Sequence, residues 1–243
     1  MDLLLLRLDA PLMSFGGPVV DNHGVIQDLP CLSTLVGLLA NALGWEHGDA
    51  ERLQRLQARL RFGVRRDRQG SRLADFQTVD LGQPFLAAGW TTRGAPEGRD
   101  GGDAKVGTHI RYRDYLADAV YTVALALEPA DETPSLTDLE AALAEPERPL
   151  FIGRKCCLPA APLLLGRIEA ESVRAALGRA EPLAKARRDE GPVAAWWPEE
   201  EAGGAASRVV AVTDERDWRN QIHVGRRLVR HGLVEIEEVG DGR

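Results

Sequence analysis

Cysteine is scarce: Cys31, Cys156 and Cys157 are the only three in 243 residues. They form no C-x-x-C and no Cys/His set at zinc-ligand spacing, which excludes the common structural zinc sites. The adjacent pair would strain its own peptide if bridged, so all three are expected to be reduced and mostly buried. Long apolar runs are also missing. Leu3 to Leu6 and Ala119 to Leu127 fall well short of the ~20 residues that cross a bilayer, so no membrane span is expected. Met1-Asp2-Leu3 lacks a basic n-region, and a cytoplasmic protein is expected.

There is no G-x-x-x-x-G-K-S/T, no G-x-G-x-x-G after a strand and no G-x-S-x-G, so nucleotide-hydrolase and Rossmann readings fall away. Paired carboxylates occur only in acidic helix faces and loops. The five histidines (His23, His47, His109, His223 and His231) are isolated from one another. No set of side chains converges on general acid–base work; no catalytic residue, metal ligand or cofactor is expected.

What is present is a foldable chain, 44% apolar, with a net charge of -7 that is unevenly distributed. Arg52 to Arg72 holds eight arginines and one acid, Asp67, whereas Glu128 to Glu147 holds seven acids and no base. Charge sorted in this way suggests an oriented surface with different partners on different sides. Arginine outnumbers lysine 27 to 3, which fits either a GC-rich genome or bidentate phosphate contacts.

Punctuation and periodicity organise the chain. Asp2 to Leu8, ending at Pro11, reads as a buried strand. Ser33 to Leu43 reads as a helix apolar on nearly every side, capped by Ser33, stopped by Gly44, and able to approach a sheet closely at Gly37. Asp49 caps a second helix, Ala50 to Leu60, with Leu53, Leu56 and Leu60 on one face and Arg52, Arg55 and Arg59 on a solvated one. Phe62 to Val64, Ala74 to Val79, Ala119 to Leu127 and Leu163 to Ile168 read as strands. Ser135 to Leu143 reads as a helix with a capping-box-like Ser135 and Asp138. Asp80 to Gly107 holds seven glycines and two prolines and is far longer than an ordinary connection. The order over residues 2 to 168 is that of an α+β, ferredoxin-like βαββαβ unit. Residues 169 to 243 form a small C-terminal extension with strands at Arg208 to Thr213 and Leu233 to Val239.

Two segments combine cations with features suited to RNA. In Phe151-Ile-Gly-Arg-Lys-Cys-Cys157, backbone amides around Gly153 and the cations Arg154 and Lys155 could meet one phosphate. In Arg111-Tyr-Arg-Asp-Tyr115, arginines alternate with rings, a combination that suits stacking on unpaired bases. A solvated strand end would account for either.

Taken in order, the first strand with its Leu12-Met-Ser-Phe-Gly16 loop, Pro30-x-x-Ser33-x-x-x-Gly37-Leu-Leu, Phe76-x-Thr-Val79, Arg113-x-Tyr-Leu-x-Asp-Ala119 and Phe151-Ile-Gly-Arg-Lys-Cys resemble one family. It is the CasD family of type I-E CRISPR Cascade complexes, the fifth Cas family, within the RAMP superfamily of ferredoxin-like RNA binders. The resemblance covers residues 3 to about 168. It implies a non-catalytic subunit that caps the 5′ handle of the CRISPR RNA in antiviral defence. The implied partners are that RNA, the backbone subunit CasC, the large subunit CasA and, through the complex, target DNA.

With the two cationic segments, the resemblance makes Ser14, Phe15, Gly16, Ser33, Gln77, Arg111, Arg113, Gly153, Arg154 and Lys155 the candidate RNA contacts. It also places an inserted thumb at about residues 80–112, with Phe85, Leu86 and Trp90 as its apolar tip. The chain departs from the family pattern at Leu32, where a basic residue is common, and at Gln77, where a histidine is frequent. Two other readings compete. A metal-independent endoribonuclease would draw on His23, His109, Tyr112 and Lys105; a protein-only ferredoxin-like scaffold would fit the acidic net charge.

Overall fold

The structure, a computed structural model, describes residues 1–19, 21–80, 88–90, 96–98, 108–182, 191–204 and 206–237. In chain order the elements are β1 (Asp2–Asp9), β2 (Leu12–Met13), β3 (His23–Gly24), α1 (Leu32–Ala42), α2 (Ala50–Arg59), β4 (Leu60–Arg68), β5 (Ser71–Asp80), β6 (Ala88–Trp90), β7 (Pro96–Gly98), β8 (Thr108–Ala117) and β9 (Val120–Leu127). They continue with α3 (Leu136–Ala144), β10 (Leu164–Glu169), α4 (Val173–Arg179), β11 (Val193–Pro198), β12 (Arg208–Val212), β13 (Arg216–Asp217), β14 (Ile222–His223) and β15 (Arg227–Val234). The fold is mixed α+β and mostly sheet.

The chain divides into two units. Unit 1 comprises Met1–Pro18, Ile26–Leu73 and Tyr115–Arg243; unit 2 comprises Val19–Val25 and Ala74–Asp114. Unit 1 is built on a seven-stranded sheet in the order β10-β1-β9-β4-β11-β15-β12, with every neighbouring pair antiparallel. Residue 168 is therefore not an edge of this unit, because β11, β15 and β12 carry the same sheet onward.

The sheet is covered on both sides, which explains why β1 reads as a continuous apolar run rather than an alternation. Leu4, Leu6 and Leu8 enter the core shared with α1, α2 and α3. Leu3 and Leu5 enter a second core with α4, Ala195 and Trp197. On β9, Tyr121, Val123 and Leu125 face the first core and Ala124 and Ala126 the second. The small residues leave room for α4.

Several local expectations change. Cys31, not Ser33, is the N-cap of α1, and it makes no side-chain cap bond. The orphan amides are met from far along the chain: the Leu32 N–H donates to Asp214 Oδ2 at 2.9 Å and the Ser33 N–H to the Asp214 carbonyl at 3.1 Å. Asp214 is buried and held by Arg227, Nη2 to Oδ2 at 2.6 Å. Gly37 does not admit a second backbone, since a Cβ there would meet only the Trp218 ring, at 3.9 Å. Gly44 does end the helix at φ +75°, and Ser135 and Asp138 do form a capping box.

The arginine side of α2 is not simply solvated. Arg59 is buried and donates to the carbonyls of Pro129, Glu132 and Pro134, each at 2.8–3.1 Å. Arg55 Nε pairs with Glu132 at 2.7 Å. Three arginines of the basic segment thus meet acids of the acidic one inside unit 1: Arg55 and Arg59 face Glu132, and Arg61 faces Glu128.

Further along β4, Arg65 is fully buried. It pairs with Asp67 at 2.6 Å and completes the C-terminus of α4 through the carbonyls of Leu177 and Ala180. Leaving either member of such a pair alone costs about 3–5 kcal/mol, so Arg65 belongs to the fold and not to a ligand.

In unit 2, β8 pairs with β5 and, in parallel, with β3, where His23 lies opposite Tyr112 and Gly24 opposite Arg113. β6 and β7 form a short antiparallel ladder from Ala88 and Gly98 to Trp90 and Pro96. The stretch expected to be the least regular of the chain therefore contains paired strands. Phe85, Leu86, Lys105 and the side chain of Trp90 lie outside the described residues.

Candidate nucleic-acid interface

Two segments that are 139 positions apart meet in unit 1. The Ser14 N–H donates to the Ile152 carbonyl at 3.1 Å. Gly153 lies so close to this strand end that an added Cβ would sit 1.7 Å from the Ser14 carbonyl oxygen, and its φ of +96° is itself a glycine conformation. Each side of the junction is anchored. Phe15 is fully buried, edge-on to Tyr121 with ring centroids 5.3 Å apart, and its carbonyl accepts from the Gln27 N–H at 2.8 Å. Gly16 bridges to Ile26. Phe15 therefore fixes the loop and shows no ring to solvent.

On the other side, a turn closes from the Cys157 N–H to the Arg154 carbonyl at 2.8 Å, and Ile152 plugs it into the core. The Arg154 guanidinium lies 4.7 Å from the centre of the buried Tyr115 ring, while Lys155 is exposed. The result is a rigid turn carrying two cations beside the Ser14–Gly16 loop, a geometry that suits a phosphate. Burial pushes the Cys157 thiol up to about 11, so it stays protonated at neutral pH and is no nucleophile. Cys31 is raised as well, mainly by burial. All three cysteines are free, with Cys156 alone exposed.

Ser33 is the second residue of a helix whose first two amides, Leu32 and Ser33, are already occupied by Asp214, and its hydroxyl lies 3.4 Å from His223 Nε2. The anion-binding capacity of that helix end is therefore satisfied internally.

The remaining candidates are in unit 2. Gln77 is half-buried on β5 and donates to Asp75 at 2.6 Å. Alternation along β8 puts Arg111 and Arg113 on the face opposite Ile110 and Tyr112. The exposed face holds an aromatic cluster: His23 stacks on Tyr112 at 4.8 Å with 8° between the planes, and Phe76 meets Tyr112 edge-on at 5.5 Å. Phe76 is 55% and Tyr112 37% exposed. Sequence reasoning named Tyr112, His23 and Phe76 separately but not their packing together, because Phe76 and His23 come from strands 36 and 89 residues away.

Of the four groups considered for cleavage, His23 and Tyr112 come together as this stack. His109 is on the opposite face of β8, and Lys105 is outside the described residues. Among the described residues no three His, Cys, Asp or Glu side chains are grouped to hold a metal ion, and no helix is long and apolar enough to cross a membrane.

Comparison with known proteins agrees with this layout. The chain is 33% identical over 180 residues to the CRISPR system Cascade subunit CasD of Escherichia coli (strain K12), covering 74% of this chain and 77% of that protein. Its fold matches a chain of a solved CRISPR RNA-guided surveillance complex with a TM-score of 0.70 at 29% identity, covering 99% of this chain and 95% of the other. A crystal structure of a Cas protein matches with a TM-score of 0.57 at 26% identity, over 99% of this chain and 98% of the other. The family model described as CRISPR-associated protein (Cas_Cas5) matches residues 3–230. A match of that extent, carrying the Ser14 loop and the Gly153 turn within it, means that the chain belongs to the CRISPR-associated protein (Cas_Cas5) family.

Proposed function

We propose that the chain is the subunit of a type I-E Cascade surveillance complex that holds the 5′ handle of the CRISPR RNA by binding alone, without cutting it. Its partners in this reading are the RNA, the CasC backbone and the CasA large subunit, with target DNA reached through the complex in the cytoplasm. The observation that carries the reading is the junction of the Ser14–Gly16 loop with the Gly153–Lys155 turn: buried anchors on both sides, cations outermost. Such contacts position a backbone without reading bases.

The frame is read as a ferredoxin-like unit, supported by the order β10-β1-β9-β4 with α1, α2 and α3 on one core. In that topology each helix crossover joins strands separated by a third. Unit 2 is read as the thumb, supported by the paired β5 and β8 on either side of residues 81–107.

Replacing Arg154 and Lys155 by Ala tests the phosphate role. Binding of labelled handle RNA should weaken, and the slope of log K against log salt should fall by roughly one to two. An unchanged slope would remove the turn from the interface.

A further inference from the structure

The face of the sheet shared with α1, α2 and α3 carries a second group of cations, without an ion pair among the described residues. Trp196 of β11 lies opposite Val64 of β4 and opposite His231 of β15, and His231 lies opposite Arg208 of β12. Arg66, two residues beyond Val64 on β4, shares this face. The His231 ring stacks on Trp196 at 4.7 Å with 8° between the planes, and the Arg66 guanidinium lies 5.4 Å from the Trp196 centroid. Trp196 is itself buried with Leu29, Val212 and Val229, so the platform is fixed.

Charge distinguishes Arg66 from the other arginines of β4 and β5. Arg55, Arg61, Arg65, Arg68 and Arg72 each face a carboxylate within 4 Å. Arg66 and Arg208 have no ion pair among the described residues. The carboxylate of Asp28, which flanks Tyr121, is on Arg72 at 2.5 Å. His231 is held below its ordinary value, first by burial and then by Arg208 and Arg66. At neutral pH the row is thus two full positive charges flanking a neutral imidazole on an indole, in a chain of net charge -7. Cations with no carboxylate partner among the described residues, in a chain rich in acids, suit an anion supplied from outside.

We propose that Arg66, Trp196, His231 and Arg208 form a binding row for the sugar-phosphate backbone of single-stranded RNA, with a guanidinium on a phosphate at each end. β4 and β12 are three strand spacings apart, about 14 Å, a length that accepts more than one nucleotide. The half-buried His231 ring between two arginines suits a nucleic acid better than an acidic peptide, because a base or ribose has a face to lay on it. Behind the row, Arg66 lies opposite Tyr121, whose buried ring packs edge-on against Phe15, the anchor of the Ser14–Gly16 loop. The inference rests on the RNA-binding reading and extends it to a second stretch of the strand.

The test is fluorescence anisotropy of a labelled single-stranded RNA bearing the 5′ end of the CRISPR RNA, titrated with the full chain over a salt series. Arg66→Gln with Arg208→Gln should weaken binding and flatten the salt slope by about 1.4, from two phosphates at about 0.7 each. Arg66→Lys with Arg208→Lys should restore most of the slope, and Arg219→Gln, an exposed change elsewhere, should leave it alone. If the double Gln variant melts early, Arg208→Gln by itself, at an exposed position, should still remove about 0.7. Wild-type slope in the Gln variants overturns the row while leaving the RNA-binding reading standing. Normal RNA binding with lost association to neighbouring subunits also overturns it, in favour of a protein contact. Failure of the wild-type chain to bind the RNA sinks both.

Discussion

Replacing residues 83–105 with a short Gly-Ser turn should leave unit 1 folded and prevent assembly with CRISPR RNA. No residue between 74 and 114 belongs to unit 1, and the paired strands β5 and β8 end outside the deletion, at Asp80 and Thr108. Far-UV circular dichroism and the melting temperature should therefore stay close to those of the full chain. The deletion removes Phe85, Leu86 and Trp90, the apolar residues assigned to a wedge between bases. A lost base–aromatic stack costs about 1–3 kcal/mol, or roughly 5- to 150-fold in affinity, and the projection is also expected to hold neighbouring subunits. A shortened chain that entered the complex and protected the same nucleotides would refute the thumb assignment.

Gly153→Val should be the most damaging single change at the interface. The left-handed φ of +96° disfavours any β-branched side chain, and the overlap with the Ser14 carbonyl cannot be relieved by rotating a side chain, because that oxygen is backbone. The turn and the loop must separate. A cost of about 1–3 kcal/mol in stability is expected, readable as a lower midpoint in urea with an unchanged m-value. RNA affinity should fall at least as far as in the Arg154→Ala, Lys155→Ala variant, since both cations lose their position. Gly16→Ala is the matched control for stability: a Cβ at Gly16 meets nothing within 4 Å, so the urea midpoint should barely change. Equal tolerance at the two glycines would show that the contact with Ser14 does not shape the site.

The parts of this molecule that were legible in the sequence are those set by near neighbours in the chain. The apolar run of β1, the strand at β9, the glycine stop at Gly44 and the Ser135 capping box depend on residues within a few positions of each other. What was misread depends on distant ones. The first amides of α1 are met by Asp214, 182 residues after Leu32, so the local serine looked like the better cap. Arg59 was indistinguishable from a solvated arginine, because its carbonyl partners are 70 to 75 residues away.

The same limit applied to the site. Composition and spacing could single out Gly153-Arg-Lys as a phosphate turn, and the resemblance added the Ser14 loop, but no local pattern joins the two. His231 read as an isolated histidine among polar residues; sheet register alone brings it onto Trp196 and beside Arg208. Phe76 read as a strand residue until β3 and β8 placed it with His23 and Tyr112. The net acidity of the chain argued against RNA, and it did so because an average over the chain hides which arginines are already neutralised.

The central claim, that this chain caps the 5′ end of a CRISPR RNA, is tested most directly by a footprint. The full chain would be co-expressed with a CRISPR array and its neighbouring subunits, the complex purified, and the bound RNA sequenced and probed with nuclease. The account expects a discrete RNA whose 5′ handle nucleotides are protected, with that protection lost selectively in the Arg154→Ala, Lys155→Ala variant. A complex that forms without RNA, or a handle equally protected when this chain is left out, would contradict it.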